Sequence, residues 1–458
     1  MSAHTPRTVP RELVKRLATR APRYTSYPTA PHFTQDFDRQ EALARWRHAP
    51  MDPQGRISLY VHVPFCARRC RYCGCHTEIG HTRKEAGVYV ESLLNEAALA
   101  ASRLHRRAVV AQLALGGGTP TFLQPKDMTR LVTGLAGHFD FAPDAERSIE
   151  IDPRSVTPAS LDNLLDLGFN RMSLGVQDLD EDVQTYIGRI QPYAMVAGLV
   201  EHLKSRGMTA INMDLIYGLP GQSVEGFSRT IGRVADMGPS RIALFGYAHV
   251  PWVSPHQQAM EVYGIPGEEL RMDLLAAGYE GLLAAGFLPV GMDHFARPGD
   301  ELLRALEHRS LTRNFMGYTT RRGLDLVGLG ASAISAVAGT YTQNEKNLQE
   351  YSSKADHDPW SRGLVMTGED LLRREVILDL FCNFHLDFAP LNQRFGVDFA
   401  THFAPELERL KAHEADGLVE VGGQAITVTD LGRFFIRNLC LVFDQYLGGD
   451  TSRYSKTH

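Results

Sequence analysis

The sequence predicts an α/β fold: a partial (β/α)6, TIM-like barrel with an N-terminal arm and a C-terminal, mostly helical, winged-helix-like domain. Between about residues 57 and 297, six short β-rich runs alternate with longer amphipathic stretches. The β-rich runs are almost continuously apolar, which is typical of parallel strands covered on both faces. Beyond about residue 369 the pattern changes to two helices, a hairpin at 418–428 and a further helix. These observations separate a βα core from a smaller C-terminal unit.

The six predicted strands are residues 57–63, 109–117, 147–152, 171–177, 208–217 and 241–250. Two helix starts carry their own signals, because Thr157 precedes a proline at the first helical position and Ser223 is a favoured N-cap. In barrels of this kind, active sites lie at the carboxyl ends of the strands. Polar and glycine residues cluster at those ends, so we expect the site there.

The domain prediction has four parts. Residues 1–54 form the N-terminal arm over the active site, and residues 55–300 form the barrel. Residues 301–364 are a closing segment with an irregular pattern, and residues 365–458 are the C-terminal domain. The basic first 23 residues lack the apolar core of a secretory signal, and a mitochondrial presequence is the less favoured alternative to an arm.

Charge and hydropathy exclude several classes of partner. The formal net charge of −5 offers no general attraction to nucleic acid or to anionic membranes. The C-terminal unit also has more acidic than basic residues, which argues against a DNA-binding winged helix. No apolar run reaches the ~20 residues needed to span a bilayer. We therefore expect no nucleic acid and no membrane partner.

The cysteines divide into one crowded group and two isolated residues. Cys382 and Cys440 stand in apolar surroundings and are expected to be ordinary core residues. The remaining four lie within ten residues of one another, which argues against a disulfide framework.

The crowded group contains the motif that indicates chemistry. Cys66-Ala-Arg-Arg-Cys70-Arg-Tyr72-Cys73 has the spacing C-x3-C-x2-C and follows the first predicted strand. Three thiolates can each bind one iron of a 4Fe-4S cluster and leave the fourth iron open, whereas an electron-transfer cluster normally has four cysteine ligands. A zinc loop is the alternative, but the paired C-x2-C knuckles typical of zinc are missing.

This motif resembles the signature of the radical S-adenosylmethionine (SAM) enzymes, with Tyr72 at the aromatic position before the last cysteine. In that family the open iron binds the methionine moiety, and one electron from the cluster generates a 5′-deoxyadenosyl radical. The glycines at 116–118 resemble the family's glycine-rich element, where the backbone approaches the methionine group.

Further segments resemble one subfamily, the oxygen-independent coproporphyrinogen III oxidases. They are PRYTSYPT at 22–29, LYVHVPFC at 59–66, CGC at 73–75, GMDHFARP at 291–298 and RNFMGYTT at 313–320. The resemblance covers nearly the whole chain. It implies conversion of coproporphyrinogen III to protoporphyrinogen IX. We expect an electron donor such as flavodoxin or ferredoxin and a monomeric protein. The missing signal sequence and an oxygen-labile cluster predict a cytoplasmic location.

The resemblance also implies site residues. It implies cluster ligation by Cys66, Cys70 and Cys73, and contacts of Tyr60, Gly117 and Glu150 with SAM. The subfamily also shows a second SAM site, whose contacts correspond to Tyr72, Gly118, Thr119, Gln177, Arg189, Asp214, Ala248 and Ile334.

Other residues are candidates on chemical grounds. Cys75 is either catalytic or simply packed, and His62 is near the cluster by sequence; with Tyr60 they form the predicted catalytic set. The substrate of the subfamily carries four carboxylates, for which bidentate arginines are suited. Arg23, Arg297 and Arg313 are the candidates, with an exposed surface arginine as the alternative for each.

Two other functions remain open. A haem chaperone of the same superfamily would bind cluster and SAM but handle haem; such chaperones generally lack the 22–29 segment and have Asp-Phe-like residues after the third cysteine. A non-enzymatic iron-sulphur electron carrier would be expected to have a fourth clear ligand.

Overall fold

The structure is a computed structural model that describes residues 9–447. The start of the predicted N-terminal arm, residues 1–8, and the end of the predicted C-terminal domain, residues 448–458, lie outside the described residues. The described chain forms two compact units, each built from separate segments. The sheet unit comprises Phe33–Leu274 and Gly323–Val365, and the helical unit comprises the described parts of Met1–His32, Leu275–Arg322 and Met366–His458.

The strands run in chain order as follows: Arg56–Val63 (β1), Val109–Gly117 (β2), Asp140–Ile151 (β3), Arg171–Gln177 (β4), Ile211–Tyr217 (β5), Arg241–Gly246 (β6), Leu288–Val290 (β7), His294–Ala296 (β8), Thr312–Asn314 (β9), Gly317–Thr319 (β10), Asp325–Leu329 (β11), Ile334–Val337 (β12), Thr340–Asn344 (β13), Trp360–Val365 (β14), His385–Asp387 (β15), Val419–Val421 (β16) and Ala425–Val428 (β17).

The α-helices are Arg11–Leu17 (α1), Arg39–Trp46 (α2), Arg83–Arg103 (α3), Pro125–His138 (α4), Pro158–Asp166 (α5), Glu181–Tyr186 (α6), Tyr193–Ser205 (α7), Val224–Asp236 (α8), Glu268–Ala284 (α9), Glu301–Glu307 (α10), Leu348–Lys354 (α11), Gly368–Asn383 (α12), Phe388–Phe395 (α13), Phe399–His402 (α14), Ala404–Ala415 (α15), Asp430–Phe434 (α16) and Ile436–Leu441 (α17). Short 3-10 helices lie at Ala30–His32, Pro120–Phe122, Pro153–Ser155 and Pro255–Tyr263.

The sheet unit confirms the predicted parallel βα core. Its strand order is β14-β13-β12-β11-β1-β2-β3-β4-β5-β6, in which β11 and β1 to β6 form a run of strands parallel to one another. Helices α3 to α8 lie between consecutive strands of the β1 to β6 series. The N-caps at Thr157 and Ser223 are confirmed, since each side chain accepts a hydrogen bond from the third residue of its helix.

The irregular pattern expected for the closing segment at 301–364 was wrong, because α10, α11 and strands β9 to β14 lie there. Strand β11 pairs with β1 on the side away from β2, and β12, β13 and β14 extend the sheet antiparallel from there. These strands are only four to six residues long. Such short runs, broken by Gly328 and Gly330, give too few residues for an alternating pattern to be recognised.

A buried carboxylate ties this added part of the sheet to helix α3. Glu96 is 3% exposed. It accepts hydrogen bonds from the backbone N–H of Gly330 at 2.7 Å, the side-chain amide of Asn344 at 2.6 Å and the hydroxyl of Tyr351 at 2.6 Å. Burial raises the pKa of Glu96 to about 7.

Tyr89, also on α3, links the same turn to the end of β1. Its hydroxyl donates to the carbonyl of His62 at 3.1 Å and accepts the backbone N–H of Ala331 at 2.8 Å. The turn after β11 and the strand that precedes the cysteine loop are therefore held by one helix.

The helical unit contains the predicted C-terminal hairpin. Strands β16 and β17 pair antiparallel, and β15 adds to the other side of β17. Cys382 and Cys440 are fully buried on α12 and α17, as expected for core residues. None of the helices in residues 9–447 is long and apolar enough to cross a membrane.

Candidate active site

The cysteine loop leaves the carboxyl end of β1 and is closed at its base by the backbone. The N–H of Cys66 donates to the carbonyl of Glu78 at 2.9 Å, and the N–H of Glu78 donates to the carbonyl of Pro64 at 2.8 Å. On its outer side, the N–H of Arg71 donates to the carbonyl of Ile187 at 2.9 Å. The loop is thus fixed to the sheet at one end and to the segment after α6 at the other.

Each of the three motif cysteines has a different hydrogen-bond environment. The Cys66 sulfur lies 3.4 Å from the Thr119 hydroxyl. The Cys73 sulfur accepts the backbone N–H of Cys75 at 3.4 Å. The Cys70 sulfur, which is buried, accepts guanidinium N–H groups from Arg154 at 3.3 Å and Arg189 at 3.5 Å.

These thiols are compatible with a polynuclear cluster, in which each thiolate binds a different iron. Among residues 9–447, no group of three or more His, Cys, Asp or Glu side chains is arranged to hold one ion. A cubane cluster does not require such convergence. All six cysteines are free, so the three motif thiols are available as ligands.

Cys75 interacts with the loop rather than with the core. Its side chain is exposed, which does not match the alternative of simple packing. A hydrogen bond from Cys75 lowers the pKa of the Cys73 thiol to about 6, and the same bond raises the pKa of Cys75 above its ordinary range. Burial raises the pKa of Cys66 to about 11.

The glycine segment after β2 lies directly against the end of β1. Gly117 has a φ of +113°, and a Cβ there would lie 2.5 Å from Cε1 of His62. A Cβ on Gly118 would lie 2.4 Å from the carbonyl oxygen of Pro64, whereas its N–H donates to the carbonyl of Val63 at 2.9 Å. Only glycine fits this approach of two strand ends.

Tyr60 and His62 occupy the same face of β1. The Tyr60 hydroxyl lies 3.1 Å from Nδ1 of His62, and Nε2 of His62 lies 3.1 Å from the carbonyl oxygen of His76 in the cysteine loop. His62 is 6% exposed, and burial lowers its pKa to about 4. The imidazole is therefore neutral at ordinary pH.

A polar layer continues across the sheet from Gly117. Oε2 of Glu150 accepts the N–H of Gly117 at 3.2 Å. Burial, followed by the nearby Asp214 carboxylate, raises the pKa of Glu150 to about 7. Asp214 itself accepts hydrogen bonds from Ser173 at 3.2 Å and Asn212 at 2.8 Å. Glu150 lies near the end of β3 and Asp214 on β5, with β4 between the two strands.

Arg189 reaches the same layer from the loop after α6. It donates to the carbonyl of Gly175 at 2.7 Å and to Asp152 at 3.1 Å, and it is 5% exposed. Its Nε is buried without a hydrogen-bond partner in the described residues. A Cβ on Gly175 would lie 2.8 Å from the amide nitrogen of Gln177, which adopts a positive φ of 67°. Gln177 and Arg189 therefore adjoin the same glycine.

The other predicted SAM contacts lie around the rim of the layer. The Tyr72 carbonyl accepts the side-chain amide of Gln257 at 2.9 Å. The Ile334 backbone lies within 2.4 Å of a Cβ placed on Gly328, which pairs with Tyr60 across β11 and β1. Ala248 is exposed beyond the end of β6.

The three predicted substrate arginines all belong to the helical unit, and the charges of two of them act on the same carboxylate. Arg23 donates to the buried Asp293 at 3.2 Å, and His294 lies 2.7 Å from the other oxygen of that carboxylate. Burial acts to raise the pKa of Asp293, but His294, Arg313 and Arg23 hold it well below its ordinary value. Arg313 is 7% exposed and lies between the rings of Tyr318 and Phe381, 5.0 and 5.3 Å from their centroids.

Arg297 is engaged elsewhere in that unit. Its guanidinium donates to the carbonyl of Ala285 at 2.6 Å and lies 3.9 Å from the centroid of Phe287. Arg23 is therefore paired with Asp293, the charge of Arg313 also acts on that carboxylate, and Arg297 is held by different contacts.

Comparisons with known proteins identify the family. A family model described as the radical SAM superfamily matches residues 60–234, and one described as the HemN C-terminal domain matches residues 366–435. The oxygen-independent coproporphyrinogen III oxidase of Escherichia coli is 42% identical over 441 residues, which are 95% of this chain and 95% of that protein. The chain belongs to this family of oxidases.

Other relatives agree with this assignment. The oxygen-independent coproporphyrinogen III oxidase of Pseudomonas aeruginosa is 41% identical over 446 residues, covering 95% of each chain. A solved structure of the coproporphyrinogen III oxidase HemN from Escherichia coli, described as a radical SAM enzyme, matches with a TM-score of 0.90 and 40% identity. That match covers 96% of this chain and 99% of the solved one.

Membership in the oxidase family confirms the predicted fold class and the prediction of a radical SAM oxidoreductase. It also implies a 4Fe-4S cluster and SAM as cofactors. The superfamily match contains the three motif cysteines, the glycine segment and both carboxylates of the polar layer. The electron-carrier alternative is therefore wrong.

Two residues that contact the site, Arg154 and His76, were not predicted from the sequence. Arg154 follows the strand-end Asp152 by two positions and turns back onto it, a local Asx turn that the Asp-Pro-Arg spacing could have indicated. His76 contributes its backbone carbonyl, for which a side-chain pattern gives no signal.

Proposed function

We propose that this chain converts coproporphyrinogen III to protoporphyrinogen IX, as its relatives' names describe for them. Two propionate side chains lose carbon dioxide and become vinyl groups; for each, a hydrogen atom leaves the β-carbon and one further electron passes to an acceptor. The observation that carries the proposal is the cysteine loop at the end of β1, packed against the glycine segment of β2 and the polar layer beyond it.

Cys66, Cys70 and Cys73 would hold the 4Fe-4S cluster, since each thiol is free and each has its own hydrogen-bond partner. When bound, the cluster and SAM supply a 5′-deoxyadenosyl radical that removes the β-hydrogen. The chain's own task is to orient the reacting groups and exclude water and oxygen.

Tyr60, Gly117 and Glu150 would bind one SAM, with Tyr60 and His62 shaping the floor of its site. The second SAM would use Tyr72, Gly118, Thr119, Gln177, Arg189, Asp214, Ala248 and Ile334. The unpartnered Nε of Arg189 supports that assignment, because a buried N–H without an acceptor favours a carboxylate ligand there. Cys75, exposed beside Cys73, would be a catalytic residue of the same loop.

Arg23 is the best supported direct contact to a substrate carboxylate. Its side chain is 35% exposed, and its guanidinium donates a hydrogen bond to the buried Asp293. Arg313 is enclosed by aromatic rings, so we propose that its charge keeps Asp293 ionised. Arg297 has the weakest support of the three as a substrate contact, because it donates to the carbonyl of Ala285.

The remaining features of the proposal concern the enzyme's setting. The cluster requires a reducing one-electron donor such as flavodoxin or ferredoxin. Six free cysteines and an oxygen-sensitive cluster support a cytoplasmic enzyme. We propose that it acts as a monomer.

The test is an anaerobic assay of the iron-reconstituted protein with coproporphyrinogen III, SAM, a reductant and an electron acceptor. We expect 5′-deoxyadenosine and protoporphyrin products together, and neither in Cys70→Ala. Cys382→Ala is the matched control, because that thiol lies in the core, and it should retain both products. Formation of 5′-deoxyadenosine without porphyrin product would contradict the substrate and favour the haem-chaperone alternative.

A further inference from the structure

Cys70 differs from the other two motif cysteines in the charge of its hydrogen-bond donors. Cys66 is bonded to a hydroxyl and Cys73 to a backbone amide, both neutral groups. The Cys70 sulfur accepts N–H groups from two guanidinium ions, those of Arg154 and Arg189. Hydrogen bonds from ionised donors are the stronger kind.

Arg154 is fixed in this position by contacts on its other sides. Its Nε donates to Oδ1 of Asp152 at 3.0 Å and its Nη2 to Oδ2 at 2.7 Å, a two-point pairing. Its Nη1 lies 3.4 Å from the carbonyl of Gly188. The side chain is 20% exposed. The guanidinium therefore cannot turn away from the sulfur without breaking a bidentate ion pair.

Arg189 is paired with the same carboxylate, but the proposed function also gives it a contact with SAM. It donates to Asp152 at 3.1 Å and keeps a buried Nε without a partner, which the proposed function assigns to SAM. Arg154 has no corresponding orphan atom among the described residues. Two guanidinium ions and one carboxylate leave a net positive charge beside one cluster ligand.

We infer that Arg154 tunes the reduction potential of the cluster through Cys70; the inference rests on the proposed cluster site. Reduction adds negative charge, part of which resides on the ligand sulfurs. A cationic N–H donor to one of those sulfurs stabilises the reduced state more than the oxidised state and makes the potential less negative. Arg154 is thus a positioning residue that acts on the cluster through a ligand.

The test is a redox titration of the reconstituted full-length protein without SAM, with the reduced cluster followed by electron paramagnetic resonance. In Arg154→Gln we expect the ratio of reduced to oxidised cluster at a fixed potential to fall about tenfold, which is ~59 mV for a one-electron couple. Arg154→Lys, which keeps the charge but not the two-point pairing, should fall between Arg154→Gln and the unmodified protein.

An unchanged potential in Arg154→Gln at full iron content would overturn the inference. So would a shift in Arg154→Lys equal to that in Arg154→Gln, because lysine keeps the positive charge.

Arg171→Gln is the matched control. Arg171 forms an ion pair of similar burial with Glu146 at 2.9 Å, the two side chains being 16% and 20% exposed. The cluster of the Arg171→Gln protein should have the same reduction potential as the cluster of the unmodified protein. If Arg154→Gln does not retain the cluster, the Arg154→Lys shift decides the inference: a more negative potential supports it and an unchanged potential overturns it. Absence of a cluster from the unmodified protein would instead refute the proposed function.

Discussion

Tyr60 donates its phenolic hydrogen to Nδ1 of His62. The direction follows from the other ring nitrogen: Nε2 of His62 lies 3.1 Å from the carbonyl oxygen of His76, which can only accept. Nε2 therefore carries the imidazole hydrogen, and Nδ1 is left as the acceptor for the hydroxyl 3.1 Å away. These two hydrogen bonds link strand β1 to the cysteine loop: Tyr60 donates to His62, and His62 donates to the backbone of His76.

Tyr60→Phe should destabilise the sheet unit. The change leaves the buried Nδ1 of His62 without a donor, and we expect the free energy of unfolding to fall by about 1–3 kcal/mol. Denaturant unfolding of the cluster-free protein measures this separately from activity. Tyr193→Phe, at an exposed tyrosine, is the control and should change it little. An equal loss in both variants would contradict the assigned hydrogen bond.

Gly118→Ala should disrupt the contact between β1 and β2. The new Cβ would lie 2.4 Å from the carbonyl oxygen of Pro64, so one strand end must move. We expect lower thermal stability and weaker SAM binding by calorimetry. Gly137→Ala is the matched control, since no atom lies within 4 Å of its added Cβ and the residue is in helix α4. That change should stabilise the protein by about 1 kcal/mol or less.

Glu96 should make the free energy of unfolding fall as the pH rises from about 4.5 to about 7. Its ordinary pKa of 4.5 is raised by burial to about 7, so between these values the folded protein binds more protons than the unfolded chain. Compared with Glu96→Gln, the unmodified protein should lose up to ~1.4 kcal/mol of stability per pH unit across that window. Above about pH 7 the difference should be constant.

Melting temperatures of the two proteins, measured in parallel between about pH 5 and pH 8, test this prediction. Other titrating groups are shared and cancel in the difference. A difference that does not vary with pH, or one that changes in favour of the unmodified protein as pH rises, would show that Glu96 is not protonated on folding.

Arg23→Gln and Arg313→Gln should separate substrate binding from stability. Arg23 is partly exposed, and its loss should raise KM for coproporphyrinogen III at least about tenfold, with a smaller fall in melting temperature than in Arg313→Gln. Arg313 is enclosed by two aromatic rings, and its loss removes a buried cation whose charge acts on Asp293. We expect that change to cost about 3 kcal/mol of stability. The reverse pattern in KM and melting temperature would exchange the two assignments.

The parts of the fold that follow local rules could be predicted from the sequence. Strands β2 and β4 have the predicted bounds, because their apolar runs end at glycine or at a polar strand end. The cysteine loop was recognisable because all three thiols lie within eight residues. The cap at Thr157 depends only on its neighbours in sequence.

The rest depends on contacts between residues far apart in the chain. Strand β11 is short, and its position beside β1 is set by pairing and by Glu96 and Tyr89 on α3, not by its own pattern. The guanidinium groups at Cys70 come from the 3-10 helix after β3 and from the segment after α6. Single-sequence patterns carry no information on which arginine meets which sulfur.

The pairing of β1 with β11 also constrains how the chain is made. Strand β1 ends at Val63, but the strand that covers its other edge begins only at Asp325. At a synthesis rate of ~5–20 residues per second, that edge waits on the order of tens of seconds on the ribosome. During this interval the nascent chain presents one unpaired edge of an apolar strand, followed by the cysteine loop, and is open to misassembly with other nascent chains.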